Sequence, residues 1–434
     1  MRGASFLKRA RAENGVSRRF RSTFSTAVAA VNDEDDDVLS RPRLEALRQQ
    51  MRREGPVRLS QFPAPKRVSE PVETPKLTEP SPDSPVDFPA LLATIPDVPT
   101  SEILHDRFQR KHTYLRLSLT ERCNLRCTYC MPEQGVPLQP PEHLLQTPEL
   151  LRIARYFFEA GVRKFRLTGG EPTLRRDLVD IVAGLSALGP DQIGITTNGI
   201  TLTKNLPDLA AAGLTSVNIS LDTLDADKFT QLTRRPGLDR VLQAIDLAHE
   251  TLGATGNVKI NCVVMRGVND GEIADFIRLT ERYPLLSVRF IEYMPFTDNG
   301  WNWDKCVPYQ ELLDSLPEGL VHKIPEEDPH DTTKWFETTT RSNVGFITSM
   351  SSHFCAGCNR LRLGADGTIK VCLFDGNTDI SLKDAIRSGL TEPEWGKLIH
   401  YALSKKKWSL GGHKDPQDIM RDAANNRPMT LIGG

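Results

Sequence analysis

The chain has 434 residues, of which 39% are hydrophobic and 26% charged. Fifty-five Lys and Arg oppose 56 Asp and Glu, a formal charge of -1. That balance excludes a protein that coats polyanions such as nucleic acid over its whole surface, and no run of about 18 apolar residues offers a membrane span.

Residues 1–32 begin with a basic stretch. Arg2, Lys8, Arg9, Arg11, Arg18, Arg19 and Arg21 face a single acid, Glu13, among frequent Ser and Thr. A basic, Ser-rich, acid-poor segment without a continuous apolar stretch predicts a mitochondrial transit peptide and a matrix location. An acidic run, Asp33–Asp37, follows. Residues 51–100 hold 11 of the 30 prolines. Such composition buries too little apolar surface to offset ordering entropy, so residues 33–105 are expected to form a disordered, Pro-rich linker.

From residue 106 the texture alternates between strands and helices. Strands are predicted at Tyr114–Leu119, Lys164–Thr168, Ile193–Thr197, Ser216–Leu221, Val258–Met265 and Val288–Tyr293. Amphipathic helices are predicted at Pro148–Ala160 and Leu238–Leu252. Six strand–helix units point to an α/β fold with a parallel sheet, open or curled into a partial barrel. Functional residues should then gather at the carboxyl ends of the strands. Polar or Gly-rich tails follow three of them: Thr168-Gly169-Gly170-Glu171-Pro172, Thr196-Thr197-Asn198-Gly199 and Ser220-Leu221-Asp222. The barrel is expected to cover 106–335, with an extension over 336–434.

Six of the eight cysteines fall into two triplets. Cys123, Cys127 and Cys130 occupy one short loop, where a closed zinc site would need a fourth ligand. Three thiolates suit a 4Fe–4S cubane with one open iron, although a zinc knuckle completed from elsewhere, or unpaired cysteines, also fits the spacing. Cys355, Cys358 and Cys372 form the second triplet, with His353 available as a fourth zinc ligand. Between its cysteines runs Asn359-Arg360-Leu361-Arg362-Leu363. Strand alternation places Arg360 and Arg362 on one face, a pair suited to phosphate. Cys262 and Cys306 read as buried thiols without a role.

The loop Cys-Asn-Leu-Arg-Cys-Thr-Tyr-Cys-Met-Pro, followed by the Gly-Gly-Glu-Pro strand end, resembles the radical S-adenosylmethionine superfamily. The second motif, Cys-Ala-Gly-Cys-Asn-Arg-Leu-Arg-Leu with Cys372-Leu373 further on, resembles the GTP 3′,8-cyclase family of molybdenum cofactor biosynthesis. The terminal Gly433-Gly434 resembles that family too, and the likeness runs from about Asp106 to Gly434.

The resemblance implies a partial (βα)6 TIM-like barrel with a C-terminal cluster-binding extension, two 4Fe–4S clusters on the two triplets, and S-adenosylmethionine. It implies a lyase that cyclises GTP to (8S)-3′,8-cyclo-7,8-dihydroguanosine 5′-triphosphate, which cyclic pyranopterin monophosphate synthase then consumes. A homodimer is compatible with it, and the electron donor is not specified. By the same resemblance Tyr129, Gly170, Ser220 and Met294 contact the cofactor. Gly170 does so because a residue without a side chain admits the methionyl amine. Arg116, Arg166, Thr196, Lys259, Arg360 and Arg362 contact GTP, with Lys164 and Arg289 close by. Two other readings are a peptide-modifying radical enzyme with an auxiliary cluster, and a non-enzymatic iron–sulfur or zinc module.

Overall fold

The computed structural model describes residues 86–422 and Met429, apart from 256, 284, 297–298, 326–327 and 375–379. The expected transit peptide, residues 33–85 of the expected linker, and Gly433-Gly434 lie outside the described residues.

The six predicted strands form within a residue of their expected ends. They are β1 (Tyr114–Ser118), β2 (Lys164–Thr168), β3 (Gln192–Thr197), β4 (Ser216–Ser220), β5 (Val258–Val264) and β6 (Ser287–Glu292). Each pairs in parallel with the next. Their alternation is strict in β5, where Val258, Ile260, Cys262 and Val264 are buried while Lys259, Asn261 and Val263 take the other face.

The crossover helices supply the apolar layer that covers this outer face. Thr147–Ala160 starts at a capping box between Gln146 and Glu149 and buries Leu150, Ile153, Ala154 and Phe157, one helical stripe. It stops at Gly161, whose φ of 122° an L side chain would resist. Leu238–Leu252 buries Leu238, Val241, Ala244, Ile245, Ala248 and Leu252 in the same way.

Six further strands extend the sheet: β7 (Val321–Lys323), β8 (Lys334–Thr338), β9 (Asn343–Ile347), β10 (Arg360–Leu363), β11 (Thr368–Lys370) and β12 (Ile380–Ser381). The order among the described residues is β12-β11-β10-β1-β2-β3-β4-β5-β6-β9-β8-β7. β10 joins β1 in parallel and β9 joins β6 in parallel, so the parallel run holds eight strands rather than six. The C-terminal part therefore continues the barrel sheet at both edges, and its strands start at Val321, inside the range expected for the barrel. Side chains from all eight parallel strands line one cavity, which requires the sheet to curl around it. This is the partial barrel that the strand–helix rhythm predicts.

The linker expectation needs one correction. Residues 86–105 are part of the domain: Phe88–Ala93 is a helix capped by Asp87, and Phe88, Ile95, Ile103 and Leu104 are buried in the main core. Four apolar anchors spaced among prolines evaded a reading based on composition. Phe88→Ala is predicted to lower the unfolding free energy by about 3 kcal/mol, the usual loss for a buried Phe. Denaturant unfolding checks this, and an unchanged midpoint would remove the segment from the core.

Candidate active site

The cavity has a volume of ≈ 500 Å³ and is lined by the inward residues of the barrel strands together with residues of the C-terminal extension. Strand register arranges these residues in layers. At the amino ends, Arg360, Tyr114, Lys164 and Gln192 lie side by side across β10, β1, β2 and β3. Two residues on, Arg362, Arg116, Arg166 and Gly194 form the next row. Lys259 of β5 pairs with Asn218, and Arg289 of β6 pairs with Asn261.

Seven cationic side chains thus line one cavity: Arg116, Lys164, Arg166, Lys259, Arg289, Arg360 and Arg362. The carboxylates Asp222, Asp328 and Asp331 line the same cavity. Arg166 donates from Nε to Tyr114 Oη at 3.1 Å and from Nη1 to Ile195 O at 3.3 Å. Arg289 grips Asn261 Oδ1 through Nε and Nη2. Arg360 Nη2 is buried without a hydrogen-bond partner among the described residues. Gly194 provides space, since a Cβ there would stand 2.5 Å from Arg166 Cζ.

The electrostatics follow from this crowding. Burial and the neighbouring guanidiniums push Lys259 down to about 8, Arg289 to about 10 and Arg362 to about 9. Burial alone would raise Tyr114, yet Arg166, Arg116 and Arg360 hold its phenol at about 7. A polyanionic ligand would relieve this repulsion.

The carboxyl ends of the strands carry different chemistry. Ser220, Asp222, Val263, Ile291, Met294 and Tyr129 line the cavity there. Tyr129 Oη donates to Asp222 Oδ2 at 2.6 Å, and Val263 N donates to Asp222 Oδ1 at 2.8 Å. Burial pushes the Asp222 carboxyl up to about 6. Tyr129 sits between Cys127 and Cys130, so this bond anchors the first cysteine loop to the end of β4. Backbone bonds from Arg126 N to Thr233 O and from Thr128 N to Leu232 O tie the same loop to helix Ala226–Thr233.

The Gly-Gly-Glu-Pro segment closes the other side of that loop. Gly170 N donates to Thr120 O, and Glu171 N to Arg122 O, both at 2.7 Å. A Cβ on Gly170 would lie 2.4 Å from Arg122 O. Gly170 is absent from the lining of the main cavity, and its missing side chain admits the backbone of the first cysteine loop. Buried Glu171 accepts from Thr173, from Thr197 Oγ1 and from Asn198 N, joining the ends of β2 and β3.

The residues fit the groups that the motifs imply. Burial raises Cys123, Cys127 and Cys130, Cys130 to about 12; nearby thiols add to the effect at Cys127 and Cys130, and Glu171 at Cys123. Three such thiols become thiolates only against a bound cation. Among the described residues no group of three or more His, Cys, Asp or Glu is arranged to hold a single metal ion. A cubane offers its irons at separate corners, so its thiolates need not converge on one point. Cys355, Cys358 and Cys372 line the cavity wall beside Arg360 and Arg362, and His353 lines the same cavity.

Of the residues singled out from sequence, Arg116, Tyr129, Arg166, Thr196, Ser220, Lys259, Met294, Arg360, Arg362, Cys355, Cys358 and Cys372 line this cavity. Cys127 lies in the wall behind Tyr129. Cys262 and Cys306 are buried thiols, as expected. Tyr114, Asn218, Asp222 and Asn261 were missed. Tyr114 and Asn261 each sit two residues from a chosen cation, so strand alternation carried the signal.

The curled parallel sheet, with a three-cysteine loop after its first strand, defines a radical S-adenosylmethionine protein, and residues 117–280 match the Radical SAM superfamily. Residues 286–411 match Molybdenum Cofactor Synthesis C. The chain is 52% identical to the mitochondrial GTP 3′,8-cyclase of Arabidopsis thaliana, over 78% of its own length and 86% of the plant protein's. It is 39% identical to the GTP 3′,8-cyclase of Desulforamulus reducens, over 76% of its own length and 99% of the bacterial protein's. Molybdenum cofactor biosynthesis protein 1 of Bos taurus is 53% identical over 77% of the chain, which spans only 52% of that relative. The chain belongs to the GTP 3′,8-cyclase family.

Inorganic triphosphate probes the cation rows directly. Raising the pH through about 7 and about 8 deprotonates Tyr114 and Lys259, so the cavity loses positive charge. Affinity for triphosphate is predicted to fall across that range, and Tyr114→Phe with Lys259→Arg to flatten the decline. Calorimetry at constant ionic strength checks this, and an affinity independent of pH would contradict the assignment.

Proposed function

We propose that this chain cyclises GTP to (8S)-3′,8-cyclo-7,8-dihydroguanosine 5′-triphosphate, the first step of molybdenum cofactor biosynthesis. The observation that carries the reading is the cavity, cationic at the amino ends of its strands and bordered by a three-thiol loop at their carboxyl ends. The family membership supports the same substrate.

Cys123, Cys127 and Cys130 would hold the first 4Fe–4S cluster, which with bound S-adenosylmethionine would supply one-electron cleavage of a C–S bond and so a hydrogen-abstracting radical. Cys355, Cys358 and Cys372 would hold the second cluster, which would help anchor the guanine end of GTP. Arg116, Arg166, Lys259, Arg360 and Arg362 bind the triphosphate, with Lys164 and Arg289 adding to the field. Gly194 leaves Arg166 room to point at its ligand. Thr196 adds a hydroxyl to the GTP contacts. Tyr129, Ser220 and Met294 border the adenosyl end, and Gly170 sets the cysteine loop against β2. Val263, Ile291, Met294 and Phe296 keep that end apolar and exclude water and stray hydrogen donors. Fixed between the cations and the second cluster, GTP would present C3′ to the cofactor end; once C3′ has given a hydrogen atom to the cofactor-derived radical it would bond to C8, opening C8=N7, and one electron from the reductant with one proton at N7 would complete the isomer.

The product passes to a cyclic pyranopterin monophosphate synthase. A matrix location belongs to this reading, supported by the basic, Ser-rich residues 1–32 and the printed name of the plant relative. No helix among the described residues is long and apolar enough to cross a membrane. A homodimer is compatible with the reading.

Anaerobic turnover with S-adenosylmethionine, GTP and a strong reductant is expected to give a GTP isomer together with 5′-deoxyadenosine. Cys355→Ser is expected to keep basal deoxyadenosine formation and lose the isomer. Retained cyclisation in that variant would overturn the role of the second triplet. Arg362→Ala is expected to lower kcat/KM for GTP on the order of thirtyfold or more, equivalent to losing about 2 kcal/mol of a charge-assisted contact.

A further inference from the structure

Lys406 occupies an unusual position for a lysine. It follows helix Glu392–Ser404 and is 2% exposed. Among the described residues no carboxylate is paired with its ammonium. Its Nζ instead meets three acceptors: His112 Nε2 at 2.9 Å, Arg360 O at 3.2 Å and Cys358 Sγ at 3.4 Å. An ammonium has three N–H groups, and this socket uses all of them.

The fully buried His112 sets the socket. Its Nδ1 lies 3.1 Å from Leu104 O, a carbonyl that can only accept, so Nδ1 carries the proton and Nε2 is left as an acceptor for Lys406. Burial of a cation is costly without a counter-charge. Of the three acceptors, only the Cys358 sulfur can carry one. Asp106, 3.9 Å from His112 Nε2, is already engaged by Arg110 Nε at 2.7 Å.

Arg110 braces the same arrangement from outside. It donates to Cys355 O at 2.7 Å, to Trp408 O at 3.0 Å and to Lys407 O at 3.0 Å, pinning the turn that carries Lys406 to the cysteine loop. The first triplet is served differently: Leu125 N and Asn198 Nδ2, the donors placed on Cys123 Sγ, are neutral groups.

We propose that Lys406, oriented by His112, is a positioning residue for the second cluster, holding the Cys358 thiolate through a charge-assisted N–H···S contact that makes this cluster easier to reduce than it would be without the charge. The assignment rests on the reading that the second triplet holds a cluster. A nearby cation and a hydrogen bond to sulfur both favour the reduced, more negative cluster.

The test uses full-length protein purified anaerobically, with iron and sulfide content and a redox titration followed by electron paramagnetic resonance. Wild type must first show two clusters' worth of iron; a single cluster, lost with Cys123→Ser, would refute the underlying reading. Lys406→Met and Lys406→Gln remove the charge. Each is expected to shift the second cluster to a more negative potential, or to lose that cluster alone, while the first keeps its potential. Lys406→Arg is expected to stay near wild type. An unchanged second potential in Lys406→Met with both clusters present would overturn the proposal. So would loss of the fold in Lys406→Met and Lys406→Gln together, which would make Lys406 a folding residue only.

Discussion

Six buried or half-buried cations and the exposed Lys164 line one cavity, where cationic groups outnumber the carboxylates Asp222, Asp328 and Asp331. Burial, with the cations' mutual repulsion added to it, is written into Lys259 at about 8 and Arg362 at about 9. The strands keep them inward because the opposite face of every strand carries the apolar residues that pack on the helices, so reversing one cation would expose a core position. Gly194 and Asn261 make local room and local bonds for Arg166 and Arg289. The fold thus spends stability on a site that an anion completes, a common signature of functional sites.

The axis of the barrel separates two tasks. Cations occupy the amino ends of the strands, while Tyr129, Asp222 and an apolar border occupy the carboxyl ends beside the first cysteine loop. The C-terminal part is what makes the division complete. By adding β10 to one edge and β9 to the other, it brings Arg360, Arg362 and the second cysteine triplet into the wall of a cavity that the first six strands only half enclose. In the proposed reading, a substrate long enough to bridge the cations, the second triplet and the cofactor end would be held at several places at once.

A good part of this was legible in the residues. Strand patterning located β1 to β6 within a residue and put Arg360 and Arg362 on one face, whereas Arg116, Arg166 and Lys259 were legible only through the family resemblance. The cysteine spacings marked both triplets. What escaped depends on contacts distant in sequence. Nothing local says that Arg360–Leu363 pairs with Tyr114–Ser118, or that Lys406 reaches Cys358. Nor does anything local say that Gly170 packs against the backbone of Arg122. Residues 86–105 read as linker because they continue a Pro-rich stretch with few aromatics, and burial depends on where apolar anchors land rather than on their number. Asp222 was noticed as part of a strand tail but not as the acceptor for Tyr129, a pairing 93 positions apart.

The central claim is that these cations are held against their own repulsion for the sake of a triphosphate. The unfolding free energy of Lys259→Met, measured anaerobically with and without GTP, tests it most directly. The account predicts a variant more stable than wild type without ligand and stabilised less by GTP. A variant less stable than wild type without ligand, yet stabilised equally by GTP, would contradict it.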